Sequence, residues 1–288
     1  MSPCAGAAQH LSVYFVILQE ICVGRGSHTV APALRTSANV VELFSGIQGE
    51  GTHVGRRQIF LRLAGCNLRC DYCDQPEARQ ATAEALIEMS PPGSRRVLRL
   101  DNPVCVEAAY WAIVALNRPA GLHAALAVTG GEPLMQAEFL AALLPAIRQA
   151  GLRVFLETNG TRARELARLR SCVDIVSMDI KLRSATGRPM PRKAHEEFLR
   201  AARKSGAELY AKAVVSAATT EREISDAARM LRKYGGDVPL VLQPVTRQGG
   251  NSPRPPRPAQ LLRLQEAALA RLRDVRVIPQ THKMIGQR

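Results

Sequence analysis

The sequence predicts an α/β fold in which a parallel sheet curves into an incomplete, TIM-like barrel. Apolar runs with the character of strands end near Thr129, Glu157, Asp179, Val215 and Gln243, and helical patterns lie between most of them. Strands that alternate with helices at this spacing are typical of a parallel sheet with right-handed crossovers. The length of 288 residues suits one barrel domain.

Residues 1–38 show little of this pattern and no recognisable motif. The apolar run Leu11–Val23 lacks the basic flank that a signal peptide requires. We therefore expect a disordered N-terminal extension over residues 1–38 and a single folded domain over residues 39–288. A misassigned start or a targeting role for the extension are the alternatives.

The domain is expected to begin with two strands. Val40–Phe44 and Gln58–Ala64 have strand character, and the glycine-rich loop Ser45–Gly55 separates them. The segment Pro76–Pro103 is polar and contains prolines, which predicts a long irregular insertion. A helix is expected next, over Val106–Leu116.

The second half of the domain repeats the strand–helix unit. Helical patterns cover Ala137–Ala150 and Thr219–Tyr234, and a proline-rich loop covers Asn251–Pro258. A further helix then extends to Arg273, before a last strand near Val275–Pro279. Active sites of parallel α/β barrels assemble at the carboxyl ends of the strands. The polar residues that follow these strands therefore predict one cleft at that edge.

The composition is that of a globular protein, with 46% hydrophobic and 22% charged residues. No run of about 18 apolar residues is present, so we expect a cytoplasmic protein without a membrane partner. The formal charge of +14 would suit a nucleic-acid partner. Arginines scattered along the chain favour solvated helix faces instead, so nucleic acid is the less favoured partner. An anionic small molecule such as a pterin would also be attracted.

Three of the seven cysteines fall within eight residues. Cys66, Cys70 and Cys73 form a C-x3-C-x2-C pattern after a predicted strand, which indicates metal ligation in a reducing compartment rather than disulfides. Three thiolates from one short loop can hold three irons of a [4Fe–4S] cluster and leave the fourth iron open. A structural zinc site closed by His53 or Asp71 is the alternative.

The cysteine loop resembles a known signature. C-x3-C-x-aromatic-C, with Tyr72 as the aromatic member, is similar to the motif of the radical S-adenosylmethionine (SAM) superfamily, and the turn Thr129–Pro133 is similar to its GGE motif. The resemblance implies a partial TIM-like barrel of the radical SAM type and a SAM molecule that chelates the open iron. An electron from the cluster then cleaves SAM to give a 5′-deoxyadenosyl radical. The two glycines would let the backbone approach the ammonium group of SAM closely.

Further motifs are IQGEG at 47–51, FLRLAGCN at 60–67, ETNG at 157–160, SMDIK at 177–181, LQPV at 242–245 and PQTHK at 279–283. As a set they resemble the 7-carboxy-7-deazaguanine synthase family. This resemblance implies a radical SAM lyase that converts 6-carboxy-5,6,7,8-tetrahydropterin to 7-carboxy-7-deazaguanine with loss of ammonia, a step toward queuosine and other 7-deazapurines. It also implies bound Mg²⁺, a homodimer, and an electron donor such as flavodoxin or ferredoxin.

The resemblance also assigns site residues, with no catalytic side chain expected beyond the cluster and SAM. Arg62, whose place in its strand calls for an anionic partner, would bind the carboxylate of the substrate. The expected SAM-binding residues are Tyr72, Gly131, Glu132, Glu157, Ser177, Asp179, Lys181, Gln243 and Pro244. The expected substrate-binding residues are Ile47, Gln48, Gly49, Glu50, Arg62, Thr129 and His282.

One position departs from the family pattern. Family members carry Thr or Ser two residues after the last cysteine as a Mg²⁺ ligand, and this chain has Gln75 there. Mg²⁺ prefers oxygen ligands and often keeps several waters. A glutamine carbonyl is an acceptable ligand on a longer side chain, so we expect Gln75 to contribute to a weakened magnesium site.

Two other functions are kept as alternatives. A glycyl-radical activase shares the cysteine motif but lacks the Gln48–Gly51 loop and the Gln280–Lys283 segment. A basic nucleic-acid-binding protein with a structural zinc site would contain zinc and neither labile iron nor sulfide.

Overall fold

The fold is known from a computed structural model that describes residues 36–94, 96–247 and 252–287. A ten-stranded sheet has the order β12-β11-β10-β9-β8-β7-β3-β2-β4-β5, and β1 and β6 form a separate pair. The strands are β1 (Ser37–Ala38), β2 (Val40–Ile47), β3 (Arg57–Leu63), β4 (Glu84–Glu88), β5 (Val97–Asp101), β6 (Val104–Cys105), β7 (Leu126–Gly130), β8 (Val154–Thr158), β9 (Ile175–Asp179), β10 (Glu208–Val215), β11 (Leu240–Pro244) and β12 (Val275–Val277).

Seven neighbouring strands of this sheet, from β3 through β7 to β12, run parallel. They form the partial barrel that the sequence predicts, and β2 joins it antiparallel to β3. The α-helices are α1 (Val106–Leu116), α2 (Ala137–Gln149), α3 (Ala163–Leu169), α4 (Arg183–Thr186), α5 (Arg192–Ser205), α6 (Glu221–Met230), α7 (Pro258–Leu269) and α8 (Thr281–Met284).

The strands separate two apolar layers. One side packs against the helices in a large core that includes Val128, Leu156 and Met178. The other side faces the interior of the barrel, where a smaller cluster contains Phe155 and Tyr210. Strands buried on both faces read as nearly continuous apolar runs, which is why the sequence pattern locates β7 to β11.

The prediction that Pro76–Pro103 is an irregular insertion is wrong. It contains the hairpin β4–β5, which pairs with β2 and extends the sheet. In β5, Leu98 and Leu100 are buried while their neighbours are exposed, the alternation expected of a strand with one face covered. The prolines Pro91 and Pro92 lie in the connection between the two strands, where they interrupt no ladder.

The N-terminal boundary also differs slightly from the prediction. Ser37 pairs with Cys105 and Ala38 with Val104, and Ala38 is only 2% exposed. The fold therefore includes at least two residues before Asn39. The rest of the predicted extension, residues 1–35, lies outside the described residues.

The helices of the described ranges include none that is long and apolar enough to cross a membrane. The carboxyl ends of the parallel strands all point to one edge of the barrel. Each of β3, β7, β8 and β9 ends there in a polar or glycine-containing turn, and the candidate site lies among these turns.

Candidate active site

One cavity opens at the carboxyl edge of the strands, and the three cysteines of the predicted motif line it. It also contains most of the predicted SAM and substrate residues. Those on its wall are Ile47, Gln48, Gly49, Glu50, Arg62, Tyr72, Gln75, Thr129, Gly131, Glu157, Asp179, Lys181, Gln243 and His282. Wall residues that were not predicted include Asp74, Arg79, Asn159, Lys212 and Gln280.

The loop that follows β3 carries the cysteines. Cys66, Cys70 and Cys73 are free and partly buried, the backbone N–H of Leu68 donates to Cys66 Sγ at 3.4 Å, and Arg79 Nη2 donates to the carbonyl of Cys70 at 2.9 Å. Burial raises the pKa of the Cys66 and Cys70 thiols. Because metals bind thiolates, loading this site must release protons.

The arrangement suits a cluster better than a single ion. Across residues 36–94, 96–247 and 252–287, no three His, Cys, Asp or Glu side chains converge closely enough to hold one metal ion. Thiols that each ligate a different iron need not converge. His53, one candidate to close a zinc site, instead bonds Glu208 at 2.7 Å, where β10 begins. His53 is therefore not placed to serve as the fourth ligand of a zinc site.

The turn at Gly130–Gly131 braces the cysteine loop. Gly131 N–H donates to the carbonyl of Leu63 at 3.0 Å, and Glu132 N–H donates to that of Gly65 at 2.7 Å. A Cβ on Gly131 would lie 2.2 Å from the Gly65 oxygen. The segment before Cys66 therefore approaches closely enough to require glycine at position 131. The predicted approach of this turn to the ammonium group of SAM stays a prediction.

The side chain of Glu132 lies behind the cavity wall, and the predicted contact of this residue with SAM stays a prediction. Its fully buried carboxylate accepts hydrogen bonds from Leu134 N–H at 3.1 Å, Thr158 Oγ1 at 2.8 Å and Asn159 N–H at 2.7 Å. Burial raises the pKa of Glu132 to about 7, against the hydrogen bonds. The side chain thus ties the glycine turn to the end of β8.

Ser177 and Pro244 are likewise absent from the cavity wall. Side chains alternate between the two faces of a strand, and Ser177 faces the interior two residues below Asp179, where it bonds the Tyr210 hydroxyl. Pro244 occupies the position between Gln243 and Val245, whose side chains line the cavity. Ser177 thus shares a face with Asp179 but lies deeper in the barrel, whereas strand alternation turns Pro244 to the face opposite to Gln243 and Val245. Their contacts with SAM stay predictions.

Asp179, Lys181 and Tyr72 form one connected group on the cavity wall. Lys181 Nζ donates to Asp179 Oδ2 at 2.6 Å and to the Tyr72 hydroxyl at 2.9 Å. Burial alone would raise the pKa of Asp179, but Lys181 and Lys212 bring it below its ordinary value. The aspartate is therefore ionised and both lysines are charged.

Lys212 is the main site residue that sequence reasoning missed. It extends from β10, beside Asp179 on β9, and its ammonium pairs with Glu50 and, at 3.4 Å, with Asp179 Oδ1. Glu157, whose pKa is raised by burial, accepts from Gln48 at 2.9 Å and from Thr129 at 2.8 Å. A lysine inside the apolar run LYAKAVV was the available signal.

The C-terminal segment closes one side of the cavity. Thr281 N–H donates to the carbonyl of Gly49 at 2.9 Å, and His282 packs so closely on Gly49 that a Cβ there would lie 2.1 Å from the ring. Gln280 Nε2 donates to Glu50 at 2.6 Å and to Asp74 at 2.9 Å. The predicted QTHK motif is thereby connected to both the IQGEG loop and the cysteine loop.

Arg62 already has an anionic partner in the protein. Its Nε donates to Glu42 Oε1 at 2.8 Å, and the residue, 9% exposed, lines the cavity. Glu42 thus satisfies the need for a counter-charge that the sequence pattern indicated. A bidentate contact from the guanidinium to a bound carboxylate would have to use its Nη groups.

The cavity has a buried acceptor that suits a ligand. Gln243 Oε1 is buried without a hydrogen-bond partner among the described residues, and such an orphaned acceptor is costly unless a ligand or water satisfies it. The cavity therefore offers three thiols, the charged Lys181–Asp179 pair and a free acceptor. These groups fit a cluster-bound cofactor that carries both charged groups and hydrogen-bond donors.

Sequence comparison agrees with this geometry. The Radical SAM superfamily profile matches residues 61–231. The 7-carboxy-7-deazaguanine synthase of Geobacter sulfurreducens is 40% identical over 254 residues, covering 88% of this chain and 99% of that protein. The enzyme of the same name from Methanopyrus kandleri is 35% identical, covering 91% and 96%.

Solved structures support the fold. QueE from Escherichia coli superposes with a TM-score of 0.53 at 19% identity, covering 88% of this chain and 99% of that one. A radical SAM methyltransferase from Sphaerobacter thermophilus gives a TM-score of 0.56 at 15% identity, covering 78% and 66%. Sequence and fold together show that this chain belongs to the radical SAM superfamily and, within it, to the 7-carboxy-7-deazaguanine synthase family.

Proposed function

We propose that this chain converts 6-carboxy-5,6,7,8-tetrahydropterin to 7-carboxy-7-deazaguanine with loss of ammonia, as a step toward queuosine. The observation that carries the proposal is that the cysteine loop, Gln48, Glu50, Arg62 and His282 surround the same cavity. Family membership implies a [4Fe–4S] cluster and SAM, and Cys66, Cys70 and Cys73 would hold the cluster.

Several wall residues suit SAM. Lys181 carries a charge that would attract the methionyl carboxylate, while Asp179 and Glu157 can accept bonds from ribose hydroxyls. Gln243 Oε1, the orphaned acceptor, would receive a donor of the cofactor. When bound, the cluster and SAM supply a 5′-deoxyadenosyl radical for hydrogen abstraction from the pterin. The residues of this chain bind, orient and shield the reactants.

Other residues of the same cavity suit a bicyclic, anionic pterin. The Nη groups of Arg62 would face its carboxylate, and Gln48, Thr129 and Glu50 offer amide, hydroxyl and carboxylate groups to the polar edge of a heterocycle. His282, whose pKa is lowered by burial, would close the pocket as a neutral ring. The C-terminal segment would exclude water from the reacting atoms.

We further propose that Mg²⁺ assists with Gln75 as one ligand of a weakened site. Gln75 lies on the cavity wall, and its carbonyl is an oxygen donor of the kind Mg²⁺ prefers. Turnover is therefore expected to saturate at higher Mg²⁺ concentration in the native protein than in Gln75→Thr. If chelator leaves the turnover of the native protein unchanged, and Gln75→Thr shows the same dependence on Mg²⁺, then Gln75 is not a metal ligand.

The remaining parts of the proposal are a homodimer, a cytoplasmic location and an electron donor such as flavodoxin or ferredoxin. Anaerobic incubation of the reconstituted protein with SAM, reductant and the carboxytetrahydropterin, followed by identification of the product, tests the function. A glycyl-radical activase would leave the pterin unchanged and form a radical on a partner polypeptide.

A further inference from the structure

A hydrogen-bonded pair of opposite charge lies where strands β2 and β3 reach the cavity. Arg62 Nε donates to Glu42 Oε1 at 2.8 Å, and the two side chains are 11% and 15% exposed. Arg62 lines the cavity, whereas Glu42 is not one of the residues that line it. Glu42 thus holds the arginine from outside the cavity.

An irregularity in the pairing of the two strands places Glu42 there. Val40 pairs with Leu63, and continuation of that register would set Val41 opposite Arg62. A shift between Val40 and Glu42 brings Glu42 opposite Arg62 instead. β-Bulges redirect side chains in this way and are frequent beside active sites. The result of the irregularity is that Arg62 has a carboxylate as its cross-strand neighbour.

Other neighbours of Arg62 restrict its side chain further. On the other side of β3, its cross-strand partner is Thr129 of β7, which lines the cavity. Two residues deeper on the same face, Phe44 and Phe60 stack with their ring centroids 5.1 Å apart. The arginine is therefore flanked by a carboxylate and a hydroxyl and lies above an aromatic pair.

The bond from Nε determines which donors of the guanidinium are left for a ligand. A guanidinium is planar and has five N–H donors in fixed directions. Within residues 36–94, 96–247 and 252–287, the two Nη groups of Arg62 make no hydrogen bond. With Nε held by Glu42, the edge formed by the two Nη groups remains, and that edge matches the two oxygens of a carboxylate.

We propose that Glu42 is a positioning residue that fixes the guanidinium of Arg62 for bidentate binding of the substrate carboxylate. The arginine is then oriented before the ligand arrives, which lowers the entropic cost of binding. The inference rests on the proposed function, since it takes the ligand of Arg62 to be the carboxylate of the pterin. It adds that the preference of the site for a carboxylate depends on a residue outside the cavity.

The test measures how strongly each protein prefers a carboxylate. The reconstituted parent, Glu42→Ala, Glu42→Gln, Arg62→Ala and the double variant Glu42→Ala/Arg62→Ala are titrated anaerobically with SAM present. The probes are the stable analogues 6-carboxypterin and uncharged 6-hydroxymethylpterin, and calorimetry gives the Kd of each. Glu84→Ala is the matched control, because Glu84 of the neighbouring strand β4 also pairs with an arginine at 2.8 Å, Arg99, but on the exposed surface.

Glu42→Ala should weaken binding of 6-carboxypterin about tenfold and change that of 6-hydroxymethylpterin by less than about twofold, and Glu84→Ala should resemble the parent. Loss of the Glu42 charge alone would favour an anionic ligand, so weaker binding reports lost orientation. Glu42→Gln keeps an oxygen acceptor for Nε and should bind 6-carboxypterin at least as tightly as the parent. Once Arg62→Ala has removed the preference for the carboxylate, Glu42→Ala should cause no further loss, because the two residues act together.

Unchanged or tighter binding of 6-carboxypterin by Glu42→Ala would overturn the inference, and equal weakening of both pterins would show a structural role only. Crystal structures of the ligand-free variants give a second readout. The guanidinium of Arg62 should keep its orientation in Glu42→Gln and lose it in Glu42→Ala, and an unchanged orientation in Glu42→Ala would also overturn the inference. These structures need no substrate, so failure of the proposed function, seen as no product from the parent, is distinguishable from failure of this inference.

Discussion

Side chains that face the barrel interior decide the chemistry of the site. Along β8, β9 and β10 the interior positions are apolar at the base and polar at the carboxyl end, as in Phe155 followed by Glu157 and Tyr210 followed by Lys212. The apolar layer excludes water beneath the cavity. The polar layer holds charges in a buried setting, where their interactions are stronger than in water.

Cys66→Ala, Cys70→Ala and Cys73→Ala should each abolish cluster loading. Each removes one of the three thiolates that would hold the cluster, and two remaining protein ligands are expected to be too few to retain it. Iron and sulfide content after anaerobic reconstitution measures the effect. Cys172→Ala is the matched control, because Cys172 is also free and partly buried. Full iron content in Cys70→Ala, or loss of iron in Cys172→Ala, would contradict the assignment.

Lys212→Met should destabilise the protein and impair turnover. The ammonium of Lys212 neutralises Glu50 and Asp179, and breaking a buried pair by removing one partner costs about 3–5 kcal/mol. Lys212→Arg keeps the charge and should recover much of the loss. Urea unfolding measures the stability, and KM and kcat show whether substrate binding or chemistry suffers. Parent-like stability and activity of Lys212→Met would refute this role.

The residues that sequence reasoning found and missed differ in physical kind. The cysteines were predictable as members of one site, because their spacing places all three in one short loop. Lys212 carries no motif, and its importance depends on strand pairing that sets it beside Asp179. Glu132 and Ser177 belong to correctly located motifs, but hydrogen bonds to Asn159 and Tyr210 determine where their side chains point.

At the scale of elements, the strands of the parallel sheet were predictable and the hairpin β4–β5 was not. The parallel strands are buried on both faces and give long apolar runs, whereas β5 is an edge strand with only two buried side chains. The prolines in its connection favour an irregular segment, and the alternating pattern of β5 is too short to outweigh them. The edge hairpin lies away from the cavity, so the error left the predicted site intact.

Gly131→Ala should disrupt the junction between the glycine turn and the cysteine loop. Its Cβ would lie 2.2 Å from the Gly65 oxygen and 2.6 Å from the Ala78 oxygen, and backbone atoms cannot yield as side-chain ends can. We expect poor cluster loading. The control is Gly235→Ala, whose Cβ would meet only the side chains of Leu199 and Val238 at 3.3 Å. Equal iron content and melting temperature in the two variants would contradict the bracing role.

For the whole molecule, the fold brings together segments that are far apart in the sequence. The IQGEG loop near the start of the domain and the QTHK segment at its end meet through Gln280 and Glu50, and the cysteine loop joins them through Asp74. Asp74 is ionised, because Lys283 and Gln280 hold its pKa below the ordinary value despite burial. One side of the cavity is thus closed only when the first loop of the domain, the cysteine loop and the C-terminal segment are all in place.

The most direct test of the proposed function measures the product, ammonia and SAM together in one reaction. The reconstituted protein is incubated anaerobically with SAM, reductant and 6-carboxy-5,6,7,8-tetrahydropterin, and the product, ammonia and remaining SAM are quantified together. We expect 7-carboxy-7-deazaguanine and ammonia in equal amounts over many turnovers. An intact, reducible cluster that leaves the pterin unchanged, or that consumes SAM without forming this product, would contradict it.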